Sequence, residues 1–289
     1  MKRAFLRHPS IEALLASDGT TSSPDEAMRR RARALVDRAL KLGWEGPPFD
    51  LELLASVAGY RVHTETLGEG QDGCVDAVTR RILVSARLPP PRRRFTVAHE
   101  VAHTLLPDFG SDVTMHHASA EHKWAEQSPV EQICHVGAAE LLMPLGAFRA
   151  ACGREPISVQ GIARVAANFE ASFQAVARRW VSLVPSGTSL AVARPMPPDG
   201  DLTVIASVRG GTGKPLHLPW GRVLPRGSVA YRVWERAQQS PQRPCTDEAI
   251  EYWGSLGRLG RRRVEAATNP LSWATPESVL CLLHELPKR

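Results

Sequence analysis

The sequence lacks a long apolar run. None of its 289 residues belongs to a stretch of about 18 apolar residues, so no transmembrane helix is expected. The N-terminal segment MKRAFLRHPSIEALLASDG is basic, but it has neither a sustained apolar core nor a clear cleavage site. It is therefore not read as a secretory signal peptide, and the sequence predicts a soluble protein with no membrane partner.

Cysteine is scarce and scattered. The chain has five cysteines, an odd number, and no C-x-x-C pair. This pattern suits free thiols better than a secreted disulfide framework. Free thiols are typical of a reducing compartment, so the expected location is the cytoplasm.

The net charge of the chain is also small. Lysine and arginine number 36 against 30 acidic residues, giving a formal charge of +6. Much of the basic excess lies in short arginine runs at residues 29–31, 92–94 and 261–263, which are more typical of solvated faces than of nucleic-acid sites. Direct DNA binding therefore does not follow from charge alone.

A nucleotide-binding loop is missing as well. Residues 210–214 read GGTGK, but the G-x-x-x-x-G-K-(S/T) spacing is absent and Pro215 follows the lysine. The segment is interpreted as a hairpin loop.

The sequence does contain H-E-x-x-H, at residues 99–103 within RFTVAHEVAHTLL. On a helix, His99 and His103 stand about 40° apart around the axis and one turn apart along it, the spacing of two ligands of a tetrahedral zinc ion. Glu100 is rotated about 100° from His99, so it is poorly placed as a ligand. It is well placed to hold the attacking water and accept its proton. A buried helix with a hydrogen-bonded histidine pair is the alternative that this motif alone leaves open.

A second helix supplies a third donor. Ser128 and Pro129 begin a helix that runs to about Leu142, with Glu131 in its first turn. Small residues at 137–139 let this helix pack closely on the first, so Glu131 can complete a His₂Glu zinc site with one open position. His135 lies one turn later on the same face and is the competing ligand, though a supporting role is favoured for it. His116, His117 and His122 are interpreted as loop histidines rather than ligands.

These two segments resemble the ImmA/IrrE metallopeptidases. The resemblance rests on RFTVAHEVAHTLL followed by VEQICHVGAAELLMP, in the family's order and spacing. It implies that His99, His103 and Glu131 bind zinc and that Glu100 is the catalytic acid/base. The chain departs from the family pattern at His135, where Asn or Asp is common, and at Gly137, where an aromatic residue is common.

The expected fold class is α+β. We predict a flexible tail over residues 1–24, a zincin-like metallopeptidase domain with a small sheet over 25–150, and a helix-turn-helix segment over 151–185. By resemblance to longer family members, residues 186–289 are expected to form an α/β GAF-like sensor or partner-binding domain. Strands are predicted near residues 60–67, 74–78 and 81–85, and Ile82–Ser85 is predicted to be the sheet edge that holds a substrate peptide. Strands are also predicted at 190–193, 202–208 and 229–234. Residues 256–264 are predicted to form a helix or an arginine-rich loop, and residues 275–285 a helix.

The leading functional hypothesis is a zinc-dependent endopeptidase, with manganese possible because histidine and carboxylate ligands accept either metal. By resemblance, its substrate is a DNA-binding helix-turn-helix repressor, and its cleavage makes the protein a stress-responsive regulator. One alternative is a non-catalytic regulator that binds DNA or a repressor through the helix-turn-helix segment. In that segment Arg178 and Arg179 are thin support for base readout, so a structural or partner-binding role is favoured. A broad-specificity protease is the third hypothesis.

Overall fold

The computed structural model describes residues 8–21, 23–110, 128–184, 187–211, 218–239, 245–252, 261–268 and 277–285. Over these residues the chain is an α+β protein with two separate sheets. It divides into two compact units, one formed by Met1–Ala150 with Asn168–Ala171 and the other by Ala151–Ala167 with Ser172–Arg289.

The first unit combines helices with a three-stranded sheet. Its elements in chain order are α1 (Pro9–Asp18), α2 (Pro24–Lys41), α3 (Leu51–Val57), β1 (Arg61–Glu65), β2 (Gly73–Asp76), β3 (Arg81–Ser85), α4 (Pro90–His103), α5 (Pro129–Leu142) and α6 (Leu145–Cys152). Helix α5 packs against both α2 and α4, while β2 and β3 contact α4. The sheet and the α5 helix therefore meet α4, the helix that carries the H-E-x-x-H motif.

The close packing of α4 and α5 depends on small residues. A Cβ atom added to Gly137 on α5 would lie 2.9 Å from the Cβ of Ala102 on α4 and 3.0 Å from the sulfur of Met28 on α2. The prediction that small residues draw these helices together is thus confirmed at Gly137. In the resembling family an aromatic residue is common at the position of Gly137. In this chain the Met28 side chain lies next to that position.

The strand order corrects one prediction. The sheet has the order β1-β3-β2, with β1 parallel and β2 antiparallel to β3. The hairpin of β2 and β3 is confirmed, and Asp76 fixes its turn by accepting the backbone N–H groups of Val78 and Thr79. Residues Ile82–Ser85 belong to the central strand, so the prediction that they form an open edge is wrong. The edge strand beside α4 is β2.

The N-terminal region also differs from the predicted tail. Helix α1 begins with Pro9, and its Ile11 and Leu14 side chains are fully buried. These two residues lie three positions apart, so they share the face that packs on α2. Gly19 ends the helix in a left-handed conformation, which a glycine adopts without steric strain. The apolar residues on this face explain why residues 9–18, which lie within the expected tail, form a helix.

The second unit combines two consecutive helices with a five-stranded antiparallel sheet. Its elements are α7 (Val159–Phe169), most of which lies in this unit, α8 (Phe173–Leu183), β4 (Thr188–Met196), β5 (Asp201–Arg209), α9 (Val229–Gln239), β6 (Thr246–Tyr252), β7 (Arg261–Thr268) and β8 (Val279–Glu285). The strand order is β5-β4-β8-β7-β6. Helix α9 packs on β6, β7 and β8, and α8 packs on β4 and β5.

Three elements of this unit were predicted wrongly. Residues 229–234 were predicted as a strand but begin α9, where Val229, Val233 and Ala237 are buried at helical spacing. Residues 256–264 are predicted as a helix or an arginine-rich loop and residues 275–285 as a helix, but the described parts of these segments are β7 and β8. Six consecutive residues of β8 are buried. A short apolar segment that is buried on both faces shows no alternation of apolar and polar residues, so its sequence does not distinguish a strand from a helix.

Candidate metal centre

Helix α4 presents two histidines to one point. Pro90 lies at its N-terminal end, and all eight residues from Thr96 to His103 are buried. The Nε2 atoms of His99 and His103 are 3.1 Å apart, and their rings meet edge to face. One face of the helix thus places two ring nitrogens side by side in the protein interior.

Helix α5 brings a carboxylate to the same point. The Ser128 hydroxyl accepts the backbone N–H of Glu131, which fixes the first turn of α5. Glu131 Oε2 lies 3.0 Å from His99 Nε2, and Oε1 lies 3.5 Å from His103 Nε2. Glu131 is part-exposed, whereas both histidines are buried, so the cluster reaches the surface through its carboxylate.

The donor set fits a zinc ion. The donor atoms of His99, His103 and Glu131 all lie within 4.8 Å of one another. Ligand atoms at about 2.0–2.2 Å from a tetrahedral ion are separated by about 3.3–3.6 Å, close to the spacings observed here. Two neutral imidazoles with facing Nε2 atoms gain most from a shared cation, since both lone pairs can then be used.

Glu100 lies beside this cluster and is fully buried. Among the described residues no donor reaches either of its carboxylate oxygens. Burial raises the pKa of Glu100 well above its ordinary value, and the neighbouring Glu131 and Asp72 carboxylates raise it further. A buried carboxylate without a donor is costly, and a cation with an associated water would supply the missing interactions. This second observation also fits a metal at the His99, His103 and Glu131 cluster.

The edge strand β2 approaches Glu100 closely. A Cβ atom added to Gly73 would lie 2.5 Å from Thr96 Cγ2, 3.0 Å from the Leu83 carbonyl oxygen and 3.4 Å from Glu100 Oε1. Only a residue without a side chain allows this approach. Burial raises the pKa of the next residue, Cys74, and the Glu100 carboxylate also raises it. The backbone of β2 therefore passes directly beside the predicted acid/base.

His135 lies against His99 rather than in the donor cluster. Its ring centroid is 4.8 Å from that of His99 and 5.5 Å from that of Phe95. The group of side chains that could share one ion contains Glu131 and not His135. His116, His117 and His122, predicted to be loop histidines, lie outside the described residues.

Cys134 is a neighbour of the cluster, a role that its being one of five scattered cysteines does not indicate. Its Sγ atom is 3.4 Å from Nδ1 of His103, and the residue is fully buried. Burial raises the pKa of this thiol well above its ordinary value, with added contributions from Glu131 and Glu100. Its position three residues after Glu131 on the same helix was the available signal, because residues i and i+3 share a helix face.

Two histidines one turn apart, a carboxylate from a second helix and an adjacent buried glutamate define a domain of the H-E-x-x-H metallopeptidase class. Residues 55–181 match the M78 peptidase family, described as the IrrE N-terminal-like domain. This match supports the resemblance of these residues to the ImmA/IrrE family.

Curated relatives match over part of their length. The radiation response metalloprotease IrrE of Deinococcus deserti is 43% identical over 77 residues, which are 26% of this chain and 26% of the relative. The protein of the same name from Deinococcus radiodurans is 34% identical over 141 residues, 47% of this chain and 40% of the relative. The matches thus span less than half of these relatives.

A solved structure resembles nearly the whole chain. A Mycobacterium tuberculosis transcriptional regulator aligns with a TM-score of 0.52 and 16% identity, covering 94% of this chain and 91% of that one. At this level of identity, the likeness shows a shared fold and carries no argument about function.

Proposed function

We propose that this protein is a zinc-dependent endopeptidase that cleaves a DNA-binding helix-turn-helix repressor and so acts as a stress-response regulator. The observation that carries the proposal is the convergence of His99, His103 and Glu131 beside a buried Glu100. The relatives' name, radiation response metalloprotease, supports both the reaction class and the link to stress.

His99, His103 and Glu131 would hold the metal through two Nε2 atoms and one carboxylate oxygen. Zinc suits this ligand set, and manganese is accepted by the same atoms. When bound, the metal supplies Lewis acidity, which polarises the scissile carbonyl and lowers the pKa of the attacking water towards neutrality.

Glu100 would move the proton. Its carboxylate accepts a proton from the attacking water and later gives it to the nitrogen of the leaving amine. Burial and the nearby carboxylates raise its pKa, which suits a group that must hold this proton between the two steps.

The substrate would bind as an extended strand along β2. This strand is an edge of the sheet, and its Gly73 backbone lies beside Glu100. Backbone hydrogen bonds from a sheet edge hold a peptide without reading its sequence, while side-chain pockets supply selectivity. The assignment replaces the predicted role of Ile82–Ser85.

The rest of the chain would regulate the peptidase. We propose a metallopeptidase domain over residues 25–150, a helix-turn-helix segment over 151–185 and a GAF-like sensor or partner-binding domain over 186–289. The five-stranded antiparallel sheet with α9 on it supports the last assignment. Helix α8 buries Val176, Ala177 and Trp180 and packs on β4 and β5, which favours a structural or partner-binding role for it over base readout.

We further propose that the protein works in the cytoplasm, where its repressor substrate would bind DNA. None of the helices in the described part of the chain has the length and apolar character needed to cross a membrane.

The test compares the wild type with Glu100→Gln, using a helix-turn-helix repressor encoded beside this protein as substrate. The variant keeps all three metal donors, so zinc content should stay at the wild-type level. Cleavage should fall by about 10²–10⁴-fold, the usual contribution of a general base.

Equal release of repressor from DNA by both proteins, without cleavage by either, would contradict the peptidase. It would support a non-catalytic regulator that acts through α7 and α8. Robust cleavage of an unrelated protein such as casein would instead support a broad-specificity protease.

A further inference from the structure

The two histidines of the metal centre are held in different ways. The ring of His99 lies against Phe95 and His135, and its buried Nδ1 has no hydrogen-bond partner among the described residues. The Nδ1 of His103 faces Cys134 Sγ at 3.4 Å in a fully buried environment. Packing thus supports the ring of His99, whereas a polar contact to the Cys134 sulfur supports the ring of His103.

The position of Cys134 follows from the helix that supplies Glu131. The two residues are three positions apart on α5, so they project from the same face towards α4. Glu131 reaches the Nε2 side of His103, and Cys134 reaches the Nδ1 side of the same ring. A single helix face therefore contacts both nitrogens of one imidazole.

The chemistry of a neutral imidazole fixes the direction of the contact. A ring that offers its Nε2 lone pair to a metal carries its hydrogen on Nδ1, so Nδ1 can only donate. The Cys134 sulfur has lone pairs and lies on the Nδ1 side, where it can accept this hydrogen. In the opposite tautomer, the Nε2–H group would point into the donor cluster and block metal binding.

We propose that Cys134 is a positioning residue for the metal centre, where its sulfur accepts the Nδ1–H of His103 and holds the Nε2 lone pair towards the ion. The inference rests on the metal site of the proposed function. Groups that contact the second nitrogen of a metal-bound histidine set its tautomer and orientation, and their loss usually weakens metal binding by about 10–100-fold.

Cys134→Ala and Cys134→Ser separate this role from simple packing. Both substitutions remove the sulfur, but the serine hydroxyl can accept the same hydrogen. Cys281→Ala is the matched control, because Cys281 is a fully buried cysteine on β8 in the other unit. Zinc affinity is measured in the full chain by competition with a chromogenic chelator, and thermal unfolding of the zinc-free proteins checks that each variant folds.

We expect Cys134→Ala to bind zinc about 10–100-fold more weakly, Cys134→Ser to bind within a few-fold of wild type, and Cys281→Ala to be unchanged. Equal weakening by alanine and serine, or wild-type affinity in the alanine variant, would overturn the proposal. So would a sulfur-to-metal charge-transfer band in the cobalt-substituted wild type that disappears in Cys134→Ala, since the sulfur would then be a ligand.

The same measurements distinguish this proposal from the peptidase. A wild type that binds zinc with the predicted cysteine dependence but cleaves no repressor would leave the role of Cys134 intact and overturn the proposed function. A wild type that binds no zinc would overturn both.

Discussion

At the scale of single residues, Gly73 decides how close the sheet edge comes to the predicted acid/base. The space for a Cβ atom there is filled by Thr96, the Leu83 carbonyl and the Glu100 carboxylate. A backbone carbonyl cannot move aside as a flexible side chain can. Any larger residue at this position must therefore displace β2 from α4.

Gly73→Ala should destabilise the protein by about 1–3 kcal/mol, the usual cost of overpacking a close contact. It should also lower peptidase activity while zinc affinity stays near wild type, because the three metal donors are untouched. Chemical denaturation and chelator competition measure these two effects. Gly68→Ala is the control, since its Cβ would meet only the end of the Gln71 side chain. Equal stability of the two variants would contradict the close approach of β2 to α4.

At the scale of elements, the site depends on the distance between α4 and α5. His99 and His103 come from one helix and Glu131 from the other, so the cluster exists only if the two helices pack tightly. Gly137 lies at a close contact between them, opposite Ala102 and next to Met28. Helix spacing at Gly137 therefore controls whether the carboxylate reaches both imidazoles.

Gly137→Ala should lower stability by about 1–3 kcal/mol, even though alanine is the better helix former. It should also weaken zinc binding, because the added methyl group pushes Glu131 away from α4. Gly146→Ala on helix α6 is the matched control, since a Cβ there meets nothing within 4 Å. That control should be neutral or more stable by up to about 1 kcal/mol. Calorimetry of both variants provides the check, and a destabilised Gly146→Ala with an unaffected Gly137→Ala would refute this packing argument.

The element scale also shows what the sequence can and cannot predict. The i, i+4 spacing of His99 and His103 is a local property of one helix, so it is readable directly from the chain. The prediction that Glu131 joins the two histidines rests on the helix start at Ser128 and on the small residues at 137–139. These are also local signals. Strand order is not local, and for that reason the edge was assigned to β3 instead of β2. In β8, both faces are buried, so the sequence lacks the alternation of apolar and polar residues that distinguishes a strand from a helix.

At the scale of the whole molecule, each unit has its own core and its own buried polar groups. In the second unit one of these is Glu265, which accepts hydrogen bonds from the Val159 backbone N–H at 2.8 Å and from His284 Nε2 at 3.0 Å. Burial raises its pKa, but these hydrogen bonds and the charges of His284 and Arg263 outweigh burial and leave the pKa below its ordinary value of 4.5. The carboxylate thereby links α7 to strand β7 of the sheet.

A lowered pKa in the folded state means that Glu265 contributes stability above about pH 4.5, and that this contribution is lost as the pH falls through the folded-state pKa. Glu265→Gln should therefore be less stable than wild type by about 1–3 kcal/mol at neutral pH, with a gap that narrows as the solution is acidified. Urea unfolding at a series of pH values measures this gap. Glu248→Gln, at an exposed position of β6, is the control and should show little difference at any pH. If the difference in unfolding free energy between wild type and Glu265→Gln grew on acidification, the pKa of Glu265 would be raised in the folded state and not lowered.

Zinc affinity reports which residue is the third metal donor. Glu131→Gln and His135→Gln change neighbouring residues one turn apart on α5, both close to His99. Zinc binding to each full-length variant is measured by chelator competition, with bound zinc per chain determined by elemental analysis. We expect Glu131→Gln to lose tight binding of one zinc per chain. His135→Gln should keep it within about 10–100-fold of wild type, the range for a residue that only supports a ligand. Tight zinc binding in Glu131→Gln together with its loss in His135→Gln would show that His135, and not Glu131, is the third donor.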